Sequence, residues 1–263
     1  AEKVLVNLVN NMDPTKFDIS VTTLFGGGIN ENFLKKDVKF RSVFPREIIG
    51  NSKLMKVLTP RQLHHICVKE KYDIEIAYLE GPSTRVISGC TDADTRLVAW
   101  IHSTVIDQKD VSAAFRSYME CSKCYSKFDK VVCVSNGIRK SVESAFSYSL
   151  PLTVVNNTVD SNEIVRKSLE QIEENMFHSD VTNIIAVGTL KQVKGYDRLL
   201  RIMKHLQSEK YSVHLYILGT GPMQGQLKNF VNDNKLSSYV SLLGYQTNPY
   251  KYVARSDLYI CSS

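Results

Sequence analysis

The chain alternates short apolar runs with segments whose apolar residues recur at helical spacing. Runs of strand length include Ile74–Leu79, Leu97–His102 and Lys130–Val134, and helical spacing is found over Pro60–Glu70 and Asp107–Phe128. This alternation is typical of βαβ units, because neighbouring parallel strands need a long crossover connection between them. The pattern predicts an α/β protein with mainly parallel sheets.

A length of 263 residues suits two domains of ordinary size. The polar stretch Asn156–Asp180 has no strand character, and strand–helix alternation restarts after it. We therefore predict a first Rossmann-like domain at 1–158, a connector at 159–180 and a second Rossmann-like domain at 181–263. Further strands are expected at Phe17–Phe25, Lys39–Phe44, Leu152–Val155, Asn183–Val187, Val213–Leu218, Val240–Leu243 and Asp257–Ile260.

The two ends shape a further expectation. Ala1–Met12 is predicted to be a helix, where an α/β domain would open on a strand, and Asp257–Ser263 has the pattern of a strand with no continuation. We expect the first domain to lack its first strand and the second to lack its C-terminal part. The sequence has no signal peptide and no apolar run of about 20 residues, so we expect a cytoplasmic location.

Basic residues are concentrated in one segment. Residues 35–71 carry ten Lys and Arg against three acidic residues, within a chain of 33 basic and 27 acidic residues. Such a segment favours phosphate-bearing partners or an anionic membrane surface, with a solvated face as the alternative. Nucleic acid is not expected, because no nucleic-acid-binding motif accompanies the charge.

Six cysteines occur without the spacing of a disulfide framework or a zinc site. Cys121 and Cys124 form the only close pair, and no second pair of cysteines or histidines completes it. We interpret them as reduced, partly buried thiols, with metal or redox chemistry as the alternative, and predict no metal site.

Ligands of doubly wound sheets bind beyond the carboxyl ends of the strands. Gly188 ends a predicted strand, and Lys194-Gly195 opens a predicted helix whose N-terminus can hold a phosphate. Gly219-Thr-Gly221 also follows a strand, but Gln224 replaces the third glycine of the nicotinamide fingerprint and no acidic residue ends the next strand. We therefore do not expect NAD.

The order of these motifs resembles the donor domain of glycosyltransferase family 4. The resemblance is carried by Gly188-Thr-Leu-Lys-Gln-Val-Lys194-Gly195, Gly219-Thr-Gly221-Pro222, Leu243-Gly244-Tyr and Ser256-Asp257-Leu-Tyr-Ile. In the first half, Ala1-Glu-Lys-Val-Leu, Trp100-Ile101-His102 and Val132-Cys-Val-Ser135 also fit. The resemblance implies the GT-B fold, in which two Rossmann-like doubly wound domains face a cleft. It also implies sugar transfer from a nucleotide-sugar with retention and without a metal or other cofactor.

The resemblance assigns roles to residues of both halves. His102 and Lys194 are the expected catalytic residues. The residues expected to bind the donor are Gly188, Thr189, Lys194, Gly195, Gly219, Gly221, Pro222, Tyr245 and Gln246. Those expected on the acceptor side are Glu80, Ser83, Ser135 and Asn136. Thr189 stands where relatives often have Arg, and the two glutamates that handle the donor sugar are expected beyond Ser263. We therefore expect this chain alone to be inactive.

The sequence thus predicts a hexosyltransferase that uses a UDP- or GDP-linked sugar and a saccharide or lipid-linked acceptor in surface polysaccharide or glycolipid synthesis. It would act in the cytoplasm, in peripheral contact with the inner face of an anionic membrane. Two alternatives stay open, a nucleotide-sugar epimerase of the same fold and a non-catalytic nucleotide-binding module.

Overall fold

A computed structural model describes residues 2–46, 55–172, 176–177 and 180–262. The chain divides into two compact units, Ala1–Val159 and Asp160–Ser263. Each unit holds parallel strands joined through helices, so the predicted α/β class with parallel sheets is confirmed. None of the helices in the described ranges is long and apolar enough to cross a membrane.

The described part of the first unit contains six strands in two parallel sheets. Strands β1 and β2 pair with each other, and the second sheet has the order β3-β4-β5-β6. The strands span Ser20–Phe25 (β1), Lys39–Phe44 (β2), Ile74–Ala77 (β3), Arg96–Ile101 (β4), Lys130–Cys133 (β5) and Leu152–Val154 (β6).

Six α-helices that lie wholly within the described residues of the first unit connect or flank these strands. Several begin at the residues that favour helix starts: Thr59 and Gln62 form a capping box, and the hydroxyls of Ser117 and Ser135 accept from backbone N–H groups of the first turn. The helices span Glu2–Asn10 (α1), Pro60–Cys67 (α2), Pro82–Ile87 (α3), Gln108–Val111 (α4), Tyr118–Tyr125 (α5) and Asn136–Ala145 (α6).

The expected single helix over Asp107–Phe128 is wrong, because the segment forms two helices. Ser117 caps α5, and its hydroxyl accepts a hydrogen bond from Glu120 N at 3.2 Å. Phe115 before the break and Tyr125 after it still pack into the same core. Cys121 and Cys124 are free and buried there, as expected for structural thiols.

The second unit has one parallel sheet in the order β10-β7-β8-β9. Its strands span Thr182–Val187 (β7), Val213–Leu218 (β8), Val240–Gly244 (β9) and Leu258–Tyr259 (β10), and its helices span Ser161–Ser168 (α7), Tyr196–Ser208 (α8), Gln224–Asp233 (α9) and Tyr250–Val253 (α10). Helix α7 lies in the segment predicted as a connector and packs against α10. Residues 173–175 of that segment lie outside the described residues.

Arg85 is the fully buried cation at the centre of the first unit's helix packing. Its Nη2 lies 2.9 Å from Glu120 Oε1 and 2.8 Å from Leu58 O, and its Nη1 donates to Met55 O. Burial raises the pKa of Glu120, but hydrogen bonds from Arg85 and Arg116 N outweigh it and hold that pKa below its usual value. One guanidinium thus fastens the segment before α2 to α3 and α5.

We expect Arg85→Met to lower the free energy of unfolding by about 3–5 kcal/mol, since it leaves two carbonyl groups without their donor and the Glu120 carboxylate without its cation. Arg139→Met is the matched control, because Arg139 pairs with Glu143 on an exposed helix face and such pairs contribute about 0.3–0.5 kcal/mol. Denaturant unfolding followed by circular dichroism measures both. Equal losses in the two variants would contradict the central role of Arg85.

Candidate functional site

The strand order of the second sheet reverses at β7. The chain passes from β7 through β8 to β9 in one direction and then returns to place β10 on the other side of β7. Ligands of open α/β sheets bind outside the carboxyl ends of the strands at such a reversal. The loops after β7 and β10, residues 188–195 and 260–262, border this position.

The loops that follow β7, β8 and β9 are joined by backbone hydrogen bonds. Leu190 N donates to Thr220 O at 3.0 Å, and Met223 N donates to Leu190 O at 3.0 Å. Gly219 N donates to Gly244 O at 2.7 Å. The three loops therefore form one hydrogen-bonded edge.

The glycines of these loops permit close approach between backbones. A Cβ at Gly219, whose φ is +139°, would lie 2.0 Å from Gly188 O. A Cβ at Gly221 would lie 2.6 Å from Leu190 O. The sequence suggested that Gly219 and Gly221 admit a ligand, but in the structure the space of a side chain is already filled by the β7–α8 loop.

Lys194 lies at the end of a 3-10 turn, Gln192–Lys194, directly before α8. Gly195 has φ +65° and caps α8 without a side chain, and its absent Cβ leaves room for Ser262 O. Ser262 Oγ donates to Lys194 O at 2.7 Å, and Arg198 Nη2 donates to Ser262 O at 2.9 Å. The loop that carries Lys194 is thus fastened to the segment after β10.

The charge of this loop comes from side chains more than from its backbone. Five N–H groups of residues 188–195 already donate within the chain, namely those of Gly188, Leu190, Lys191, Lys194 and Gly195. Lys194 is exposed, and no carboxylate of the described residues pairs with its ammonium group. The Lys194 ammonium is therefore available to an anionic ligand.

The other predicted donor residues differ in how available they are. Thr189 and Pro222 are exposed, and 62% of Tyr245 is exposed. Gln246 is held by its own chain: its Nε2 donates to Leu243 O at 2.9 Å, and its Oε1 accepts from Tyr252 Oη at 3.0 Å. Gln246 must exchange these bonds before it can meet a base.

In the first unit, His102 directly follows β4. Its backbone N–H donates to Glu80 Oε2 at 2.9 Å, which brings two of the predicted residues together. Both ring nitrogens are buried, and neither has a hydrogen-bond partner among the described residues. Burial lowers the pKa of His102, and the charge of Glu80 opposes this only in part, so the imidazole is neutral at pH 7.

Two aromatic residues lie beside His102: Trp100, which belongs to a motif that the sequence already indicated, and Tyr78, which was not predicted. The rings of Tyr78 and His102 lie 4.6 Å apart, and those of Tyr78 and Trp100 lie 5.2 Å apart. Tyr78 Oη and Trp100 Nε1 are also buried without a partner in the part of the chain that the structure describes, and burial raises the pKa of Tyr78 to about 12. The usable signal was their position at or just after the ends of β3 and β4.

The remaining acceptor-side residues have local partners. Ser83 Oγ donates to Leu79 O, and Ser135 Oγ accepts from Ile138 N at 3.2 Å as the cap of α6. Asn136 is exposed in the first turn of that helix. The hydroxyls of Ser83 and Ser135 therefore already serve the local fold.

Comparison with family models gives two matches that together span most of the chain. The model described as Glycosyltransferase Family 4 matches residues 1–163, and that of Glycosyl transferases group 1 matches residues 168–263. The first match alone covers more than half of the chain. The chain therefore belongs to glycosyltransferase family 4.

Individual proteins agree with this membership. An uncharacterized glycosyltransferase of Methanocaldococcus jannaschii is 26% identical over 65% of this chain and 43% of its own length. The Campylobacter jejuni N-acetylgalactosamine-N,N'-diacetylbacillosaminyl-diphospho-undecaprenol 4-alpha-N-acetylgalactosaminyltransferase is 30% identical over 54% of this chain. The chain spans only 37% of that relative's length.

Among solved structures, Anabaena HepE in complex with UDP and glucose matches the whole chain with a TM-score of 0.68. The two are 15% identical, and the match covers 70% of HepE. This likeness shows the fold, which is GT-B with two Rossmann-like domains.

We expect Gly219→Ala to lower the free energy of unfolding by about 1–3 kcal/mol, because it combines a disfavoured φ with a backbone clash. Gly225→Ala is the control: it lies in α9 with open space around its Cβ position, and this exchange in a helix stabilises by up to about 1 kcal/mol. Thermal unfolding measures both. A neutral Gly219→Ala would show that the loop contact yields easily.

Proposed function

We propose that this family 4 glycosyltransferase moves a hexosyl group from a nucleotide-sugar, with the diphosphate held at the Lys194 loop. The observation that carries the proposal is the position of Lys194 beside the reversal of strand order in the second sheet. A leaving nucleoside diphosphate gains negative charge as the bond to the sugar breaks, and a fixed cation stabilises that charge. We propose that the reaction retains the anomeric configuration and needs no metal or other cofactor.

UDP is the nucleotide we favour over GDP. HepE, which shares the fold, was solved with UDP and glucose. In this chain the exposed ring of Tyr245 follows β9 and is placed to meet the base. A panel of UDP- and GDP-sugars, followed by calorimetry and by product analysis with candidate acceptors, tests both the nucleotide and the reaction. Interconversion of the free donor without transfer would favour an epimerase, and binding without turnover would favour a non-catalytic module.

The proposed part of the first unit is His102 with its neighbours. A neutral imidazole offers one N–H donor and one acceptor, so it can hydrogen-bond a sugar hydroxyl without adding charge. Glu80 accepts from the backbone of His102 and thereby holds the segment after β4 in place. Removal of Glu80 would act through His102.

The acceptor we propose is a saccharide on a lipid carrier, used in surface polysaccharide or glycolipid synthesis. The Campylobacter relative is named for a diphospho-undecaprenol substrate. The first unit offers a surface that fits a membrane: Ile29 and Phe33 are 69% and 62% exposed, and Lys35 and Lys36 follow them directly. We propose peripheral contact with the anionic inner face of the membrane from the cytoplasm. Glu47 and Lys53 of the basic segment lie outside the described residues.

In the whole protein, we expect Lys194→Ala to lower kcat by about a hundredfold, because it removes a preorganised cation that matters most in the transition state. The loss in donor affinity should be smaller. The variant should also bind nucleoside diphosphate less tightly while binding of the nucleoside is unchanged. Turnover and titration calorimetry measure these effects.

Lys191→Ala is the matched control, since it removes an exposed lysine of the same loop. Its effect on kcat should be mild. Lys194→Arg should restore part of the rate, because the broader guanidinium keeps the charge but fits the loop differently. Wild-type behaviour of both alanine variants would refute the diphosphate assignment.

Membrane contact is tested with vesicles. We expect binding to anionic but not neutral lipid, weakening as salt rises. Lys35→Gln together with Lys36→Gln should weaken it by about thirtyfold, since each lysine near the surface contributes about 1 kcal/mol. The double variant of Lys204 and Lys228, two exposed lysines of the second unit, should bind as wild type. Equal binding to neutral vesicles would contradict the assignment.

A further inference from the structure

Three side chains with metal-binding atoms converge near the amino end of β3. Glu75 is the second residue of that strand, His64 belongs to α2, and Cys90 follows α3. Of the residues assigned to sugar transfer in this unit, Glu80 follows the other end of β3, beyond Ala77, and His102 follows the same end of the neighbouring strand β4. This cluster therefore belongs to no part of the proposed sugar-transfer site.

The three ligand atoms are close to one another. One oxygen of Glu75, one ring nitrogen of His64 and Cys90 Sγ all lie within 4.8 Å of each other. His64 Nε2 is 2.8 Å from Glu75 Oε2. Ligand atoms of a tetrahedral zinc ion, at bond lengths of about 2.0–2.3 Å, are roughly 3.3–3.8 Å apart. Small side-chain rotations bring this cluster to those distances.

The cluster is also set in the protein interior. The side chain of Glu75 is 5% exposed and that of His64 is 17% exposed. The adjacent His65, by contrast, is exposed. A buried carboxylate is costly unless a cation or several donors meet it, and His64 is the one partner recorded for the Glu75 carboxylate within the described residues.

The backbone segments that carry the cluster are closely packed against each other. A Cβ at Gly89 would lie 2.0 Å from Pro60 O and 2.8 Å from His64 Cβ. The chain after α3 therefore runs in direct contact with the first turns of α2, and it carries Cys90 next to His64. The Cys90 thiol makes a long contact, 3.9 Å, with Asp92 O and a side-chain hydrogen bond with Thr95.

We propose that His64, Glu75 and Cys90 bind a zinc ion that fastens α2 and the segment after α3 to β3. Thiolate, imidazole and carboxylate together suit zinc, whereas magnesium and calcium prefer sites made of oxygen alone. Binding displaces the proton of the Cys90 thiol to solvent. Three protein ligands leave the fourth position to a water molecule. The site is independent of the proposed sugar transfer.

Cobalt(II) is the probe for the first experiment, because it replaces zinc and reports its ligands by absorption. On titration, the full, metal-free chain should bind one equivalent of cobalt. The complex should show visible absorption bands as intense as those of tetrahedral cobalt, together with a thiolate-to-cobalt charge-transfer band in the near ultraviolet. Added zinc should displace the cobalt ion, so that both absorption bands disappear. Cys90→Ser should abolish the near-ultraviolet band, and Cys261→Ser, which removes the exposed thiol, should keep it.

Affinity is measured by competition with a chromogenic chelator. Cys90→Ser, His64→Gln and Glu75→Gln should each weaken zinc binding at least about tenfold, while the neighbouring His65→Gln should leave it unchanged. Zinc should raise the melting temperature of wild type but not of Cys90→Ser. Absence of stoichiometric zinc binding by wild type, or a wild-type cobalt spectrum in Cys90→Ser, would overturn the proposal. His64 and Glu75 would then form a simple pair.

Discussion

Backbone hydrogen bonds between successive loops fix the carboxyl edge of the second sheet. The N–H of Leu190 reaches across to Thr220, and that of Gly219 reaches Gly244, so three crossovers are tied at the edge where a ligand would bind. Such contact requires that no side chain stand between the loops, which is why glycine occupies positions 219 and 221. The position of Lys194 depends on this edge, since its loop starts from the same bonded backbone. The backbone bonds fix the main chain of Lys194, so only its side chain has to be ordered when the ammonium group meets a phosphate.

In the first unit, by contrast, several buried polar atoms beside His102 lack hydrogen-bond partners within the described residues. Tyr78, Trp100 and His102 carry four buried donor or acceptor atoms that meet no partner among the described residues. Each such atom costs about 1–3 kcal/mol when left unsatisfied. A ligand with hydroxyl groups would recover part of that cost on binding, which agrees with a sugar as the proposed occupant. The loop of the second unit is thus held in place before a ligand binds, whereas the buried polar atoms of the first unit would gain hydrogen bonds when a ligand binds.

Much of the fold follows from the sequence because each buried parallel strand is an apolar run. The predicted Val213–Leu218 strand, an apolar run that is largely buried, is observed with the same bounds. The prediction of one helix over Asp107–Phe128 was wrong, because Phe115 and Tyr125 pack into the same core although the helix is interrupted between them. Ser117 and Glu120, spaced as a capping pair, were the available signal. At the site, the strand-end rule located Gly188 and His102. It could not foresee that Gln246 bonds its own chain, because such partners depend on how loops fold back.

The Arg85 contacts also bear on kinetics. Its guanidinium joins residues that lie 30 and 35 positions away in the chain on opposite sides, Met55 and Glu120. Each of these bonds requires that a loop of the chain close first, at a cost in conformational entropy. The Arg85 contacts should therefore form after the main folding barrier. Loss of these contacts should then speed unfolding and leave the folding rate nearly unchanged. The residence time of the folded first unit, more than its rate of formation, depends on this one buried cation.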